Sequence, residues 1–443
     1  MDYDEAIAWL YGHVNLEQTG PRRPGELSLD GLRRLMGVLG DPQDTAPTIH
    51  ITGTNGKGST ARVVTALLVE LGLTVGTATS PHLQRINERI RVDGVPITDE
   101  EFARAVELVA SVQPLSGVDN SYFEVLAALT YAFFADVPTS ANVIEVGAGG
   151  RHDATNVVHG EVAVVTNVGL DHLDYFGPTI HHVAAEKAGI IEPGAHLVLG
   201  ETDPELRHHF VDEGPGTVWT LDDEIEVLRN EVAIGGRVID VRTPMATYSD
   251  VFLPLHGAHQ GVNAALGLAA VEAFVGRALG GDVVEAALSG VRAPGRFEVV
   301  DRQPLILLDG AHNTEGAAAA AATYNAEFAI GGDTVLVFGC NTGREPAEVL
   351  HELARIAPRL VIATAPDWVR AVPPTDIAEL ARAEGLDVEV VPRVPDAVDR
   401  ARALTTPDDA IFVTGSLYVV GEAREHLGLS WDEHITQGDR DSD

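Results

Sequence analysis

The residues best equipped for chemistry fall in three short stretches. Gly53-Thr54-Asn55-Gly56-Lys57-Gly58-Ser59-Thr60 follows the apolar run Thr48–Thr52 and precedes a run with helical spacing, Thr60–Leu71. Strand, glycine-rich turn, Lys-Gly-Ser-Thr and helix together make a triphosphate cradle. Backbone N–H groups point inward, the helix N-terminus adds partial positive charge, and the lysine reaches the terminal phosphates. Ile51 stands where the strict pattern has its first glycine, so this is a shortened variant. The competing reading is an ordinary strand-to-helix turn with a chance lysine; three glycines with Lys, Ser and Thr in eight residues argue against it.

The second stretch begins with the run Asn142–Val146, which contains Glu145 and leads into Gly147-Ala148-Gly149-Gly150-Arg151. In a parallel sheet ligands meet the carboxyl ends of the strands, which places Glu145 to face the phosphates. The third begins with Val162–Asn167 and continues through Gly169-Leu170-Asp171-His172. Glu145 and His172 on neighbouring strand ends make a candidate divalent-cation site. Mg²⁺ favours oxygen donors, and Mn²⁺ also fits the mixed pair. Taken alone, His172 reads more readily as a loop histidine bonded to backbone. Fifteen residues on stands Lys187, in Ala185-Glu186-Lys187-Ala188-Gly189.

Composition gives that lysine weight. The chain has 443 residues, 66 Asp plus Glu against 30 Lys plus Arg, and a formal charge of −36. Lys57 and Lys187 are its only lysines; every other basic residue except histidine is arginine. A lone helical lysine is normally solvated, but here solvated basic positions are arginine, so the bland reading weakens. Lysine has one property arginine lacks, an amine that can lose its proton and react, for instance with CO₂ to form a carbamate. The acidic surplus looks like adaptation to a salty cytoplasm, and a drift toward arginine codons would look similar. It argues against nucleic-acid partners and anionic membranes, and leans toward a soluble monomer.

The elements that must position these residues alternate between apolar β-rich runs and helical segments. Thr48–Thr52, Val75–Ala78, Asn142–Val146, Val162–Asn167 and His196–Leu199 read as buried strands, with Thr60–Leu71 and Asp99–Ser111 as helices between them. Glu224–Leu228, Glu231–Ile234 and Val238–Arg242, with a Gly235-Gly236 turn, predict a small antiparallel patch. A helical stretch, Gln260–Ala278, follows. After Arg292-Ala293-Pro294-Gly295-Arg296 a second series begins, with strands Leu305–Leu308, Thr334–Phe338, Leu360–Ala363, Val388–Val391 and Ile411–Thr414. The expected class is α/β. A P-loop N-terminal domain (1–291) carries a mostly parallel sheet plus the antiparallel patch. A linker (292–298) then joins a smaller Rossmann-like C-terminal domain (299–443). The acidic tail from Trp431 is expected to fray. Cys340 is single, which excludes an intramolecular disulfide and a cysteine zinc site. No apolar run has the length of a membrane span and the N-terminus has no basic leader, so the expectation is a cytoplasmic protein.

These stretches, together with others, resemble one family. Gly53–Thr60, Thr79-Ser80-Pro81-His82-Leu83 with Asn87-Glu88-Arg89-Ile90, Glu145–Asn156, and Gly169–His172 with Glu186–Ile190 are similar to the bifunctional dihydrofolate synthase/folylpolyglutamate synthases of the Mur ligase superfamily. So are His256-Gly257-Ala258-His259-Gln260 with Asn263, Pro294–Glu298, Asp309-Gly310-Ala311-His312-Asn313 and Gly415-Ser416-Leu417-Tyr418. The motifs run in order over roughly residues 30–425.

The resemblance implies an ATP-dependent carboxylate–amine ligase. It joins L-glutamate to dihydropteroate, to the γ-carboxylate of a folate, or to both, through an acyl phosphate. It further implies that Lys57 and the 53–60 backbone hold phosphates, and that Asn263, Arg296, Asp309 and His312 reach the nucleotide. Ser80, Glu145 and His172 would hold Mg²⁺, with Lys187, carbamylated, supporting a second cation or a phosphate. Mn²⁺ is an alternative ion and K⁺ a further candidate. Ser80, Pro81, His82, Arg89 and Phe123 would border the pterin pocket, although a core role for Phe123 reads about as well. Two positions depart from the family pattern: Gly343-Arg344-Glu345 replaces an acidic-Lys-acidic run, and Thr314 replaces a proline. Two other readings are a Mur-type ligase acting on a nucleotide-sugar peptide and a P-loop ATPase switch. The ~45 residues before the loop are too few for a separate nucleotide-sugar domain, and the switch leaves Glu186-Lys187 unexplained.

Overall fold

The computed structural model describes residues 1–19, 28–170 and 173–431. Its centre is an eight-stranded sheet made of β1 (Thr48–Thr52), β2 (Val75–Ala78), β3 (Ile90–Val92), β4 (Val95–Pro96), β5 (Ala141–Glu145), β6 (Gly160–Val165), β7 (His196–Leu199) and β8 (Thr217–Thr220). The order is β4-β3-β2-β5-β1-β6-β7-β8, with β3 and β4 antiparallel and the remaining pairs parallel. β1 and β5 are buried at every position. They are covered on both faces, which is why their sequences read as continuous apolar runs.

A second, three-stranded antiparallel sheet holds β9 (Glu226–Ala233), β10 (Gly236–Arg242) and β11 (Thr247–Leu253), ordered β11-β10-β9. This departs from the sequence expectation. The runs Glu224–Leu228 and Glu231–Ile234 are one strand, and the third strand is 247–253. Arg229 does not interrupt β9, because its guanidinium lies along the sheet surface, pairing with Glu231 at 2.8 Å and Asp250 at 2.7 Å.

The third sheet is built from β12 (Glu298–Arg302), β13 (Leu305–Leu308), β14 (Thr334–Phe338), β15 (Leu360–Ala365), β16 (Val388–Arg393) and β17 (Ala410–Thr414). Its order is β12-β13-β17-β14-β15-β16, parallel except for the edge strand β12.

Five helices bear on the site: α1 (Lys57–Glu70), α2 (Tyr122–Asp136), α3 (Ile180–Ala188), α4 (Ala258–Val275) and α5 (Thr314–Glu327). The apolar faces of α1 and α4 share one core with the central strands, including Val63, Val64, Leu67, Leu266, Ala270, Ile49 and Val164. Gly267 lets the two helices approach closely, since a Cβ there would lie 2.6 Å from Val63 Cγ1. No helix among the described residues is long and apolar enough to cross a membrane. The acidic tail beyond Trp431 lies outside the described residues.

Candidate active site

The phosphate loop joins β1 to α1. The helix starts at Lys57, three residues before the sequence expectation, because Gly56 takes a left-handed conformation (φ +86°) as N-cap. That puts Gly58 and Ser59 in the helix's first turn, where backbone N–H groups have no carbonyl one turn back. A Cβ on Gly56 would sit 2.4 Å from Asn263 Oδ1, so Asn263 of α4 packs directly on the loop. A Cβ on Gly53 would sit 1.7 Å from Thr166 Oγ1. Lys57 Nζ donates to Gly53 O at 2.9 Å and Thr54 O at 3.3 Å, folding the ammonium over the loop.

Sequence reasoning missed the residue that holds the loop's outer rim. Asn167, just past β6, accepts from Thr54 N (3.2 Å) and Asn55 N (3.0 Å) and donates to Asn55 O (3.1 Å). Its signal was an asparagine ending an apolar strand, too common a pattern to single out.

Glu145, at the end of β5, is buried and accepts from Ser80 N at 3.1 Å. Burial pushes its carboxyl above the usual range, opposed by Lys57, the Ser80 N–H, Arg296 and Arg62. A Cβ on Gly58 would lie 3.4 Å from its Oε2, so the carboxylate stands beside the first turn of α1. Ser80 Oγ is buried without a hydrogen-bond partner among the described residues. A buried carboxylate and an orphaned hydroxyl beside a phosphate loop are hard oxygen donors that fit Mg²⁺. His172 and Asp171 lie outside the described residues, so the imidazole expected to join this pair is not placed. Lys187 occupies the last turn of α3 and is buried, 3% exposed, so it is not a solvated surface lysine.

The residues expected to border the pterin divide. Phe123, half-buried, lines a cavity with Thr79, Ser80, Leu126, Ala127, Ile144 and Glu145, and its ring lies where a Cβ on Gly147 would fall (2.6 Å). Arg89 also reaches this cavity, but its guanidinium is committed to Glu17 in a two-bond pair (2.9 and 3.0 Å) and lies over the Tyr122 ring. Its Nε donates to His82 Nδ1 at 2.8 Å. Burial and the Arg89 charge hold His82 well below the usual histidine range. Arg89 therefore forms part of the cavity wall, with His82 bonded to it from outside the lining.

A second cavity shares part of this lining. It is lined by Gly58, Ser59, Arg62, Thr79, Ser80, Pro81, Glu145 and Arg296, among others. Thr79, Ser80 and Glu145 belong to both cavities. From the third sheet, Asp309 accepts from Phe297 N and Ala311 N (both 2.9 Å), and His312 Nδ1 donates to Gly310 O at 2.7 Å. Burial raises the Asp309 pKa and lowers that of Arg296, while attraction between the two opposes both shifts. Two further contacts reach across to the loop: Asn313 Nδ2 donates to Asn55 Oδ1 (3.1 Å), and Asn55 Nδ2 to Glu315 Oε2 (3.3 Å).

Comparison with known proteins gives this arrangement a context. The Mur ligase middle domain matches residues 51–271, and the Mur ligase glutamate ligase domain matches residues 295–417. A dihydrofolate synthase/folylpolyglutamate synthase of Mycobacterium tuberculosis is 39% identical, over 96% of this chain and 95% of its own. The solved Mycobacterium tuberculosis folylpolyglutamate synthase complexed with ADP superposes with a TM-score of 0.89 at 36% identity, covering 97% of this chain and 98% of that one. A bifunctional folylpolyglutamate synthase/dihydrofolate synthase with Mn, AMPPNP and L-glutamate bound gives a TM-score of 0.85 at 25% identity, covering 97% and 98%.

Proposed function

The chain belongs to the dihydrofolate synthase/folylpolyglutamate synthase family of Mur ligases, and from that membership we propose an ATP-dependent ligase that joins L-glutamate to dihydropteroate, to a folate γ-carboxylate, or to both. One observation carries the reading within this chain. The polar cavity at the start of α1 and the mostly apolar cavity beside Phe123 share Thr79, Ser80 and Glu145. A ligase of this kind must bring the end of a triphosphate and the carboxylate of a flat aromatic acid to one point, and this wall is that point.

A carboxylate is a poor electrophile. Transfer of the γ-phosphoryl to its oxygen makes that oxygen part of a leaving group; the amine of L-glutamate then attacks the acyl carbon and phosphate departs. The loop backbone and Lys57 hold the phosphates, and Arg296, with Asp309, His312 and Asn263, encloses the nucleotide. Ser80 Oγ and Glu145 would hold Mg²⁺, joined by His172; bound there, the ion would neutralise phosphate charge and orient the transfer. Lys187, carbamylated, would supply an anion for a second cation. Phe123 offers the pterin a ring to stack on. A formal charge of −36 favours a monomer.

The test is phosphate release from ATP with dihydropteroate, a tetrahydrofolate and L-glutamate, each omitted in turn. Release should require L-glutamate and one pterin acid. Release that ignores both would sink the ligase reading.

A further inference from the structure

Glu327 is the last residue of α5 and its side chain is 1% exposed, although the mechanism above does not use it. A buried carboxylate is costly unless charged or polar donors surround it. Its donors all come from the N-terminal half: the Arg237 guanidinium on β10, His256 Nδ1 at 2.9 Å and the Gly257 N–H at 2.9 Å. These outweigh burial and hold its carboxyl below the usual range. The His256 ring also lies against Phe328, the next residue after Glu327, at 4.9 Å between centroids.

Gly257 is the N-cap of α4, with φ +100°, and a Cβ there would meet the His259 ring at 2.3 Å. Its side-chain-free geometry gives α4 no capping side chain, so the Glu327 bond to its N–H pins the helix start. Gln260 and Asn263 follow within the first two turns, bonded to each other at 3.1 Å, and Asn263 packs on Gly56 of the phosphate loop. An uninterrupted line of contacts thus runs from the C-terminal half to the phosphate loop.

We propose that Glu327 is a positioning residue for the nucleotide, fixing the N-cap of α4 and through it Asn263 against the phosphate loop. This deepens the ATP-ligase reading and rests on it.

The test is titration of the full chain with the fluorescent nucleotide mant-ADP, which reports binding without ligation. Should the ligase reading fail, leaving no glutamylated product from the unsubstituted protein, this readout still stands. Glu327→Ala should weaken mant-ADP binding about tenfold, the loss expected when a charge-assisted hydrogen bond is removed. The KM for L-glutamate should stay within about twofold and circular dichroism should be unchanged. Glu348→Ala, which removes the partner of Thr314 at the other end of α5, should leave binding unchanged. If Glu327→Ala does not fold, Glu327→Gln, which keeps the volume and one acceptor oxygen, is judged by the same criteria. Unchanged mant-ADP affinity in a folded variant overturns the proposal. So does an equal loss for nucleotide and L-glutamate, or failure of both variants to fold, since either would assign Glu327 a purely structural role.

Discussion

A chain that carries arginine at nearly every basic position keeps lysine at two, Lys57 in the phosphate loop and Lys187 buried on α3. At Lys57 the reason is compactness: a single ammonium folds back onto Gly53 O and Thr54 O, where a planar guanidinium presents a different fork of donors. At Lys187 the reason we propose is chemical. Lys187→Arg keeps the positive charge of the unmodified amine and cannot form the anionic carbamate, so ligation should fall by about 10²-fold with folding intact, the upper end of the loss for a removed metal-supporting group. Rates measured against circular dichroism of the same samples check this, and normal turnover of the arginine variant refutes it. Partial recovery of Lys187→Ala by a short carboxylic acid would support the anion. Glu145→Gln makes the complementary case. The amide keeps the Ser80 N–H contact but loses the charge, so metal-dependent ligation should be abolished while the variant stays folded.

At the scale of elements, the site depends on backbone that side chains cannot replace. Gly56→Ala meets both a left-handed φ and Asn263, so it should cost about 1–3 kcal/mol of stability in a urea melt and abolish nucleotide binding. The start of α4 also sets a pH dependence. Burial lowers the pKa of His259 from 6.5 to about 4. Below pH 6.5 the unfolded chain therefore takes up a proton that the folded chain refuses, and stability declines as pH falls toward 4. His259→Asn should flatten that part of the melting-temperature profile; an unaltered slope would show that His259 is not a source of it. Much of this level was legible beforehand. β1, β5 and β6 announced themselves as apolar runs because both their faces are covered. β3 and β4 span three and two residues, too short for any periodicity. β11 hid because Asp250 breaks its alternation with φ +57°. Asn167 and Glu327 were illegible for another reason: their partners lie far away in sequence, Asn55 at 112 positions from Asn167 and Gly257 at 70 from Glu327. No local pattern records such pairings.

Across the whole molecule, the two halves meet through polar contacts: Asn55 with Asn313 and Glu315, Glu327 with Arg237 and His256, and Arg424 with Gln84 at 3.2 Å. These contacts must hold against a formal charge of −36. Exposed ion pairs contribute roughly 0–1 kcal/mol each, and with 66 acidic against 30 basic side chains most carboxylates have no basic partner to offset them. Repulsion among them therefore dominates the surface electrostatics and opposes the compact state. Its range shrinks from about 10 Å at 0.1 M salt to about 3 Å at 1 M. A buried pair such as Arg237–Glu327, and to a lesser degree the half-buried Arg89–Glu17, is screened far less, so added salt should weaken repulsion more than attraction. The melting temperature should rise as KCl goes from about 0.1 M to about 1 M, and sucrose at matched osmolality should not reproduce the dependence on ionic strength. Such a rise would favour salt adaptation over a drift toward arginine codons as the origin of the acidic composition. A flat or falling profile would show that the surplus carboxylates are held far enough apart to be tolerated without salt, and the scarcity of lysine would then need no habitat to explain it.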